Sequence, residues 1–341
     1  MKDLLLFHWP CNDWFLSMYL FVKYKLNKDP KRMQILEERP KEKDTWITFI
    51  WQLDNLLLVG VIPAVDKFIN NFIKKLNLKE VNNIYMLDVV SEEIFNKIKY
   101  NNGIIIDHHI WNENKINNLL DENIDIIFEQ ETCTAGLIAK YFVEQKLSTE
   151  FKNLINLICA TDTFNFQNVN KYKALSLSNY LKNLVSFKDI IDFYENFKNK
   201  QQELENFYLD YQKRLQYFVN LFLNPTRPYF KLLRIINNWN IIILPILELP
   251  AFAFNDLSLF VYDKFNIPAF AFVSLKSINN ENYLSLSIRS NNNWYALKIA
   301  KFLSWWWHPD AAGADIKLDR NVKILNWQDL DTKFYFKNLK E

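Results

Sequence analysis

The sequence predicts an α/β protein in which a parallel-sheet domain is joined by a long helix to a smaller α/β domain. Short apolar runs alternate with helical patterns in the first half, a charged stretch without glycine or proline follows, and β-rich runs dominate the last third. Alternating strands and helices are typical of a parallel sheet with helices on both faces. We therefore expect a first domain over residues 1–186, a helical linker over 187–224 and a second domain over 225–341.

Four strands and four helical stretches are predicted in the first domain. The strands are Leu4–Phe7, Leu56–Val61, Ile84–Leu87 and Ile104–Ile106. The helical stretches are an amphipathic segment ending near Leu26, Val65–Leu76, Thr134–Gln145 and Glu150–Ala160. Residues 28–45 are highly charged and contain two prolines, which indicates a solvated loop or an extra helix.

A single long helix is predicted from Phe187 to Leu223, because Asn224 and Pro225 end a continuous helical pattern. The second domain follows with β-rich runs and one helical segment near Trp294–Phe302. Its predicted strands are Leu232–Ile236, Ile241–Leu244, Ala269–Val273 and Tyr283–Ile288.

The composition excludes several classes of protein. The 341 residues are 50% hydrophobic and 16% aromatic, which excludes a disordered or fibrous chain, and a net charge of +2 is no nucleic-acid signature. No stretch reaches the roughly 18 apolar residues of a membrane helix, and no signal-peptide cleavage site follows the first apolar run. Three widely spaced cysteines predict no disulfide framework, so we expect a reduced, cytoplasmic protein.

Histidines and aspartates follow the predicted strands. His8 comes after the first strand, Asp88 after the third, and the run Asp107–His109 after the fourth. Asp162 follows another apolar segment. A lone histidine is more often an ordinary residue, and an aspartate at a strand end is more often a helix cap. Because ligands gather at the carboxyl ends of parallel strands, the whole set predicts a site for Mn²⁺ or Mg²⁺.

These residues lie in a series of motifs that resembles the DHH phosphoesterase family. The segment GIIIDHH resembles the motif that names the family, although an isolated Asp-His-His triplet is a weak signal. The order of motifs along the chain is far more specific: HWPCNDWF, YMLD, IDHH, TCTAG, ATDTF, SIRS and WWWHPDAAG. The resemblance covers most of the chain and implies a second domain of the DHHA1 type.

The resemblance implies two Mn²⁺ ions, or Mg²⁺, with Asp88 as the bridge between them. The implied metal ligands are His8, Cys11, Asp13, Asp88, His108 and Asp162. The implied catalytic residues are His109 facing the phosphate, Asp107 orienting His108, and Arg289, whose guanidinium suits a phosphate. The implied substrate-binding residues of the second domain are Arg289, Ser290, Trp305, Trp306, Trp307 and His308.

Cys11 departs from the family pattern, which places an aspartate at this position. The arrangement here, H-x-x-C-x-D, resembles one branch of the family. Two interpretations stay open: Cys11 is a thiolate ligand, or it is a small apolar residue beside a more loosely held metal.

Tryptophan stands where the family pattern has glycine. Trp9, Trp14 and Trp305–Trp307 occupy such positions, and the chain has 11 tryptophans but only 4 glycines, against about 24 glycines at average usage. Indoles cannot reproduce a glycine loop, whose backbone N–H groups approach a phosphate closely. One interpretation is an aromatic patch that stacks bases. The other is that UGA codons, read here as tryptophan, encode glycine in the organism.

The function implied is hydrolysis of phosphoester bonds by a water that two metal ions activate. The implied substrates and partners are short oligonucleotides or a bisphosphorylated nucleotide, with no membrane partner, and a homodimer is compatible with the sequence. Two alternatives are an exopolyphosphatase and a non-catalytic module that binds nucleotides or nucleic acid.

Overall fold

A computed structural model divides the chain into two compact units, Met1–Glu205 and Asn206–Glu341. The described residues are 2–8, 12–38, 47–61, 66, 69–120, 123–163, 165–184, 186–222, 234–236, 241–245, 269–278, 281–290 and 311–317. Within them, no helix combines the length and apolar character that crossing a membrane requires.

The first unit is built on a seven-stranded, mostly parallel sheet with the order β2-β3-β4-β1-β5-β6-β7. Its strands are β1 Asp3–His8, β2 Gln34–Glu38, β3 Ile47–Leu53, β4 Leu56–Val61, β5 Asn83–Leu87, β6 Asn102–Asp107 and β7 Ile124–Phe128. The five strands from β4 to β7 in this order pair in parallel, whereas β2 and β3 pair antiparallel. The predicted parallel sheet is confirmed.

Nine α-helices are described. They are α1 Asn12–Leu20, α2 Ile69–Leu76, α3 Glu92–Lys97, α4 Glu113–Asn118, α5 Thr134–Ile138, α6 Thr149–Asp162, α7 Lys171–Lys182, α8 Phe187–Glu195 and α9 Gln201–Phe222. Apolar side chains of β1, β4 and β5 lie at zero or near-zero exposure in the core beneath them. Burial on both faces explains why these strands are nearly continuous runs of Leu, Ile and Val.

Residues 28–38, the described part of the charged stretch that was expected to be a loop or an extra helix, end in a strand. A short 3-10 helix, Pro30–Arg32, leads into β2, which is the edge strand of the sheet. Ile35 and Leu36 of this strand are about half exposed, at 49% and 54%. An edge strand tolerates charge and exposure because one side has no neighbouring strand, so its sequence lacks the apolar alternation by which strands are recognised.

The sequence predicted an amphipathic first helix, but α1 has no exposed polar face. Every described side chain from Asp13 to Val22 is buried. Helix α1 contacts α5, α6 and α7 as well as β1 and β5, so it is enclosed by helices and by the sheet. An enclosed helix needs no polar face.

The predicted helix from Phe187 to Leu223 is interrupted. Helix α8 ends at Glu195, the N–H of the following Asn196 donates to the carbonyl of Asp192, and a 3-10 turn over Phe197–Lys200 precedes α9. The ring of Phe197 is buried against Phe151 and Phe193. This packing overrides the continuous helical pattern of the sequence.

Cys133 and Cys159 form a disulfide, which corrects the expectation of an all-thiol protein. Cys133 is the N-cap residue of α5, and Cys159 lies in the last turn of α6. Gly136 allows the two helices to approach, because a Cβ at this position would lie 2.2 Å from Oγ1 of Thr132 and 3.1 Å from Sγ of Cys159.

The second unit contains a five-stranded sheet with the order β12-β11-β10-β9-β8. Its strands are β8 Arg234–Ile236, β9 Ile241–Pro245, β10 Ala269–Ile278, β11 Glu281–Ser290 and β12 Ala311–Lys317. Strands β9 and β10 pair in parallel and the other neighbours pair antiparallel. The four predicted strands are confirmed, β12 was not predicted, and the expected helical segment near Trp294–Phe302 lies outside the described residues.

Candidate metal centre

Three neighbouring parallel strands bring their last residues to one edge of the first sheet. β1 ends at His8, β5 is followed by Asp88, and β6 ends at Asp107, with His108 and His109 directly after it. β1 pairs with β5, and β5 pairs with β6. Residues that are scattered over a hundred positions of sequence therefore meet at the carboxyl edge of the sheet, as open α/β sheets require of a ligand site.

Asp88 lies at the centre of this cluster. Its Oδ2 is 3.1 Å from Nδ1 of His8, and its Oδ1 is 3.2 Å from Nε2 of His108 and 3.5 Å from Nδ1 of His109. Nε2 of His108 also lies 3.1 Å from Oδ2 of Asp162. The carboxylate of Asp88 thus has one imidazole on one oxygen and two imidazoles on the other.

The donor atoms fall into two groups that share Asp88. One group is His8, Asp88 and His109, and the other is Asp13, Asp88, His108 and Asp162. In each group the candidate ligand atoms lie within 4.8 Å of one another. Imidazole nitrogens combined with several carboxylate oxygens suit a divalent cation of the Mn²⁺ or Mg²⁺ type.

Asp13, in the first turn of α1, is positioned by the start of α5. Its two carboxylate oxygens accept hydrogen bonds of 2.8 Å each from the backbone N–H groups of Thr134 and Ala135. The hydroxyl of Ser17 donates a third, of 3.0 Å. The carboxylate is completely buried, and these three donors fix its orientation toward Asp88.

Thr134 also contacts the centre of the cluster. Its hydroxyl donates a 3.0 Å hydrogen bond to Oδ1 of Asp88, and the whole residue is buried. No role was predicted for Thr134, although it lies in the motif TCTAG. The signal available was its position as the first residue of a helix that follows a strand, where hydroxyl and N–H donors are common.

Asp107 contacts His109, whereas its implied role of orienting His108 stays a prediction. Oδ1 of Asp107 lies 2.8 Å from Nδ1 of His109 and accepts a 2.7 Å hydrogen bond from its backbone N–H. Oδ2 accepts a 2.7 Å hydrogen bond from Nδ2 of Asn112, which sequence reasoning also missed. Asp107 therefore joins the last residue of β6 to the two residues that it holds, His109 and Asn112.

The backbone at Asp88 is in the left-handed region, with φ of 63°. For a residue other than glycine this conformation is uncommon, although aspartate tolerates it better than most. The N–H of Asp88 donates to the carbonyl of Ile106, on the neighbouring strand. The turn places the carboxylate next to the three histidines. No sequence pattern predicted this conformation.

The electrostatics of the cluster favour positive charge. Burial and the charges of Asp88 and Asp162 raise the pKa of Asp13 well above its usual range, against the opposing effect of His108. Burial alone would lower the pKa of His108, but its contacts with Asp162 and Asp88 outweigh burial and hold that pKa well above the usual value. Without a cation, the cluster therefore retains protons.

Asp88 and His8 form an ion pair, and in both residues the effect of burial on the pKa opposes the effect of the partner's charge. Burial would raise the pKa of Asp88, yet the surrounding imidazoles, led by His109, hold it well below the usual range. Burial would lower the pKa of His8, yet the hydrogen bond and charge of Asp88 raise it. Asp88 is therefore stabilised as an anion by the imidazoles next to it.

Asp162 ends α6 and does not follow a strand, although its side chain reaches the cluster and is only 4% exposed.

Cys11 and Trp9 lie outside the described residues, so both interpretations of Cys11 remain. Trp14 is buried and stacks on Phe7 at 5.1 Å between ring centroids.

The expected substrate-binding residues belong to the second unit. Arg289 and Ser290 are the last residues of β11, and Arg289 is in register with Ala311 of β12. Residues 305–308, which include the three consecutive tryptophans and His308, lie outside the described residues. Strand β12 begins at Ala311.

No protein-family model matches the chain, and no curated protein does so either. Among solved structures it is similar to the pGpG-specific phosphodiesterase PggH from Vibrio cholerae, with a TM-score of 0.51, 10% identity, and 93% of this chain and 94% of that chain covered. The two proteins share a fold. A Methanococcus jannaschii protein assigned as a family II inorganic pyrophosphatase aligns with a TM-score of 0.27 at 11% identity, over 95% of this chain and 97% of that one.

Proposed function

We propose that this chain is a metal-dependent phosphoesterase of the DHH type that hydrolyses short oligonucleotides or a bisphosphorylated nucleotide. One observation carries the proposal: two groups of histidine and aspartate ligands share a single carboxylate, Asp88, at the carboxyl edge of a parallel sheet. Two divalent cations that share one bridging carboxylate form a common arrangement for phosphoester hydrolysis.

The charge of the cluster supports two cations. Four aspartates and three histidines meet here, and their side chains are almost completely buried except that of His8, which is 14% exposed. The four aspartates are Asp13, Asp88, Asp107 and Asp162. With neutral imidazoles, the site would hold four negative charges away from water, which is strongly unfavourable unless cations neutralise them. Two divalent cations supply the matching charge.

The chain's own residues hold and orient these groups. Asp88 would contact both cations. Asp13, His108 and Asp162 would complete the ligands of one cation, and His8 and His109 would complete those of the second. Asp107 holds His109 by its ring nitrogen and its backbone N–H, so that ring stays directed at the cluster. When bound, the cations lower the pKa of a coordinated water and polarise the phosphoryl group.

The second unit would supply phosphate recognition. In this proposal the guanidinium of Arg289, with Ser290 beside it, binds non-bridging phosphate oxygens, and His308 binds a second phosphate or a terminal nucleotide. A guanidinium fork suits this task because it donates two parallel hydrogen bonds to a phosphate. The name of the Vibrio cholerae protein, a phosphodiesterase specific for the dinucleotide pGpG, supports a short substrate.

The proposal is tested by Mn²⁺-dependent hydrolysis of 5′-labelled RNAs of two to five nucleotides, of pGpG, and of 3′-phosphoadenosine-5′-phosphate. Mg²⁺ and inorganic polyphosphate are run in parallel. We expect hydrolysis whose rate Asp88→Asn lowers at least about 100-fold. This loss exceeds the usual effect of substituting a residue that only hydrogen-bonds to a metal ligand. Asparagine keeps the shape of aspartate and tolerates left-handed backbone, so the fold should survive. Asp125→Asn, on the exposed face of β7, is the matched control.

The tryptophan hypothesis requires a second form of the protein in the same assay. This form carries Trp9→Gly, Trp14→Gly, Trp305→Gly, Trp306→Gly and Trp307→Gly. Activity in the substituted form alone would support both the phosphoesterase and the reassigned codon. Turnover of polyphosphate alone would identify an exopolyphosphatase instead. Absence of hydrolysis and of Mn²⁺ binding in both forms would overturn the proposal in favour of a non-catalytic binding module.

A further inference from the structure

A cavity of about 610 Å³ lies in the first unit, away from the metal centre. It is lined by the end of the first helical segment, the turn that follows, and residues from two other parts of the unit. Lys28, on its wall, donates to Oδ1 of Asn55 at 3.2 Å, and the carbonyl of Asn55 accepts from the N–H of Asp3, the first residue of β1. The cavity therefore lies beside the amino end of β1.

The metal centre lies at the opposite end of the same strand. β1 runs for six residues from Asp3 to His8. At about 3.3 Å per residue, the cavity and the cluster are separated by roughly 20 Å of strand. A phosphate held by the metal centre cannot at the same time occupy the cavity, so the two are distinct sites.

The lining carries an excess of positive charge. Four lysines, Lys23, Lys28, Lys31 and Lys146, face two acidic residues, Asp29 and Glu195. Both acids are already occupied within the unit. Glu195 accepts from Lys23 at 2.7 Å and from the hydroxyl of Tyr19 at 2.8 Å, and Asp29 caps the following 3-10 helix by accepting from the N–H of Lys31.

Two of the lysines form no ion pair among the described residues. Among the described residues, neither the ammonium of Lys31 nor that of Lys146 forms an ion pair, and both side chains belong to exposed residues. They come from separate segments, the 3-10 helix after α1 and the turn before α6. Two ammonium groups brought to one concave site from different parts of the fold are complementary to a ligand with at least two negative charges.

The walls of the cavity are well fixed. Lys23 is held by Glu195 and by the hydroxyl of Tyr19, and Pro30 is buried. The turn at Asn27 has φ of 52°, and the N–H of the next residue donates to the carbonyl of Val22. This part of the lining is preformed and loses little conformational entropy when a ligand binds, whereas the exposed side chains of Lys31 and Lys146 become ordered on binding.

We propose that this cavity binds a diphosphate group. Its volume lies in the range of small-molecule sites, about 300–1,000 Å³, which is larger than one phosphate needs. Lysine ammonium groups are common partners of phosphate oxygens. The half-buried ring of Tyr24, which also lines the cavity, offers an aromatic face next to them. The diphosphate could belong to a nucleotide or be inorganic, and the two sources share this chemistry.

The test is calorimetric titration of the full chain with inorganic pyrophosphate in the presence of EDTA. Chelation removes divalent cations, so binding at the metal centre is suppressed and failure of the proposed hydrolytic function cannot affect the result. We expect saturable binding that the double variant Lys31→Gln/Lys146→Gln weakens at least about 10-fold, and that added salt also weakens. The matched control, Lys74→Gln/Lys79→Gln, removes two exposed lysines outside the cavity and should bind normally.

Parallel titrations with ADP and adenosine distinguish the sources. Tighter binding of ADP than of pyrophosphate supports the proposal and identifies a nucleotide, whereas equal binding supports it with the diphosphate alone as the recognised group. Adenosine binding as tight as that of ADP would overturn it, and so would the absence of pyrophosphate binding in EDTA. Equal affinity in the cavity variant and the control variant would also overturn it.

Discussion

The hydroxyl of Thr134 donates a 3.0 Å hydrogen bond to Oδ1 of Asp88, the carboxylate shared by both ligand groups. The backbone N–H of the same residue donates to Asp13. One buried residue at the start of α5 thus orients two of the four carboxylates. Thr134 is a positioning residue in this arrangement, since it acts through the aspartates that it holds.

We predict that Thr134→Val weakens Mn²⁺ binding by about 10- to 100-fold, the usual effect of losing an outer-layer hydrogen bond to a ligand. Valine keeps the shape and the backbone N–H but removes the donor to Asp88. Thr134→Ser keeps the hydroxyl and should restore binding. Calorimetric titration with Mn²⁺ gives the affinities, and unfolding curves of the metal-free variants show whether stability changed. Equal Mn²⁺ affinity in the valine and serine variants would contradict the role.

Metal binding is predicted to release protons. In the metal-free protein, the pKa values of Asp13 and His108 are raised well above their usual range, so both groups tend to hold protons. A divalent cation needs the deprotonated ligands, and it therefore displaces these protons. Affinity for Mn²⁺ should therefore rise as the pH increases above the ordinary histidine pKa of about 6.5.

Titrations in two buffers with different ionisation enthalpies measure the number of protons released. His108→Asn should lower both this number and the slope of affinity against pH. A pH-independent affinity with no buffer dependence would show that the ligands are already deprotonated in the metal-free protein.

The disulfide between Cys133 and Cys159 is predicted to stabilise the first unit. It closes a loop with a sequence separation of 26 residues. Loop-closure entropy for this length corresponds to about 3.5 kcal/mol of unfolding free energy. Denaturant unfolding with and without a dithiol reductant measures the difference, and the double variant Cys133→Ala/Cys159→Ala should not respond to the reductant. Thiol titration of the denatured protein should find one free thiol among the three cysteines, whereas three would disprove the pairing.

Trp14 provides a direct test of the two interpretations of the tryptophans. Its indole is 6% exposed and stacks on Phe7 and on Trp51, with ring centroids 5.1 and 6.3 Å apart. Removing a ring from such packing costs about 3–5 kcal/mol, and glycine inside a helix adds about 1 kcal/mol. The packing therefore predicts that Trp14→Gly is strongly destabilising in chemical unfolding experiments.

A gain in stability from Trp14→Gly would instead support the reassigned codon, because the backbone would then be suited to glycine. The stability of Trp51→Gly and of the double variant Trp14→Gly/Trp51→Gly is measured for comparison, since the two indoles stack on each other. The codons themselves give an independent answer: UGG at position 14 would exclude the reassigned codon there.

Several features of the fold could be read from the sequence. The apolar runs at Leu56–Val61 and Ile84–Leu87 were recognisable because strands buried on both faces need no polar alternation. Strand β2 and the break at Asn196 were not recognisable. An edge strand has no neighbouring strand on one side, so its residues can be polar and exposed. The break depends on Phe197 packing against Phe151, which is far away in sequence.

The sequence by itself determined which side chains end the parallel strands, and parallel pairing alone was enough to place His8, Asp88 and His108 at one edge of the sheet. The tertiary structure decided how they are held. The left-handed turn at Asp88 and the two donors of Thr134 come from backbone geometry and from a helix that begins more than a hundred residues after Asp13. Periodicity reports which face of an element is buried, whereas hydrogen bonds between distant segments form only once the core has brought those segments together.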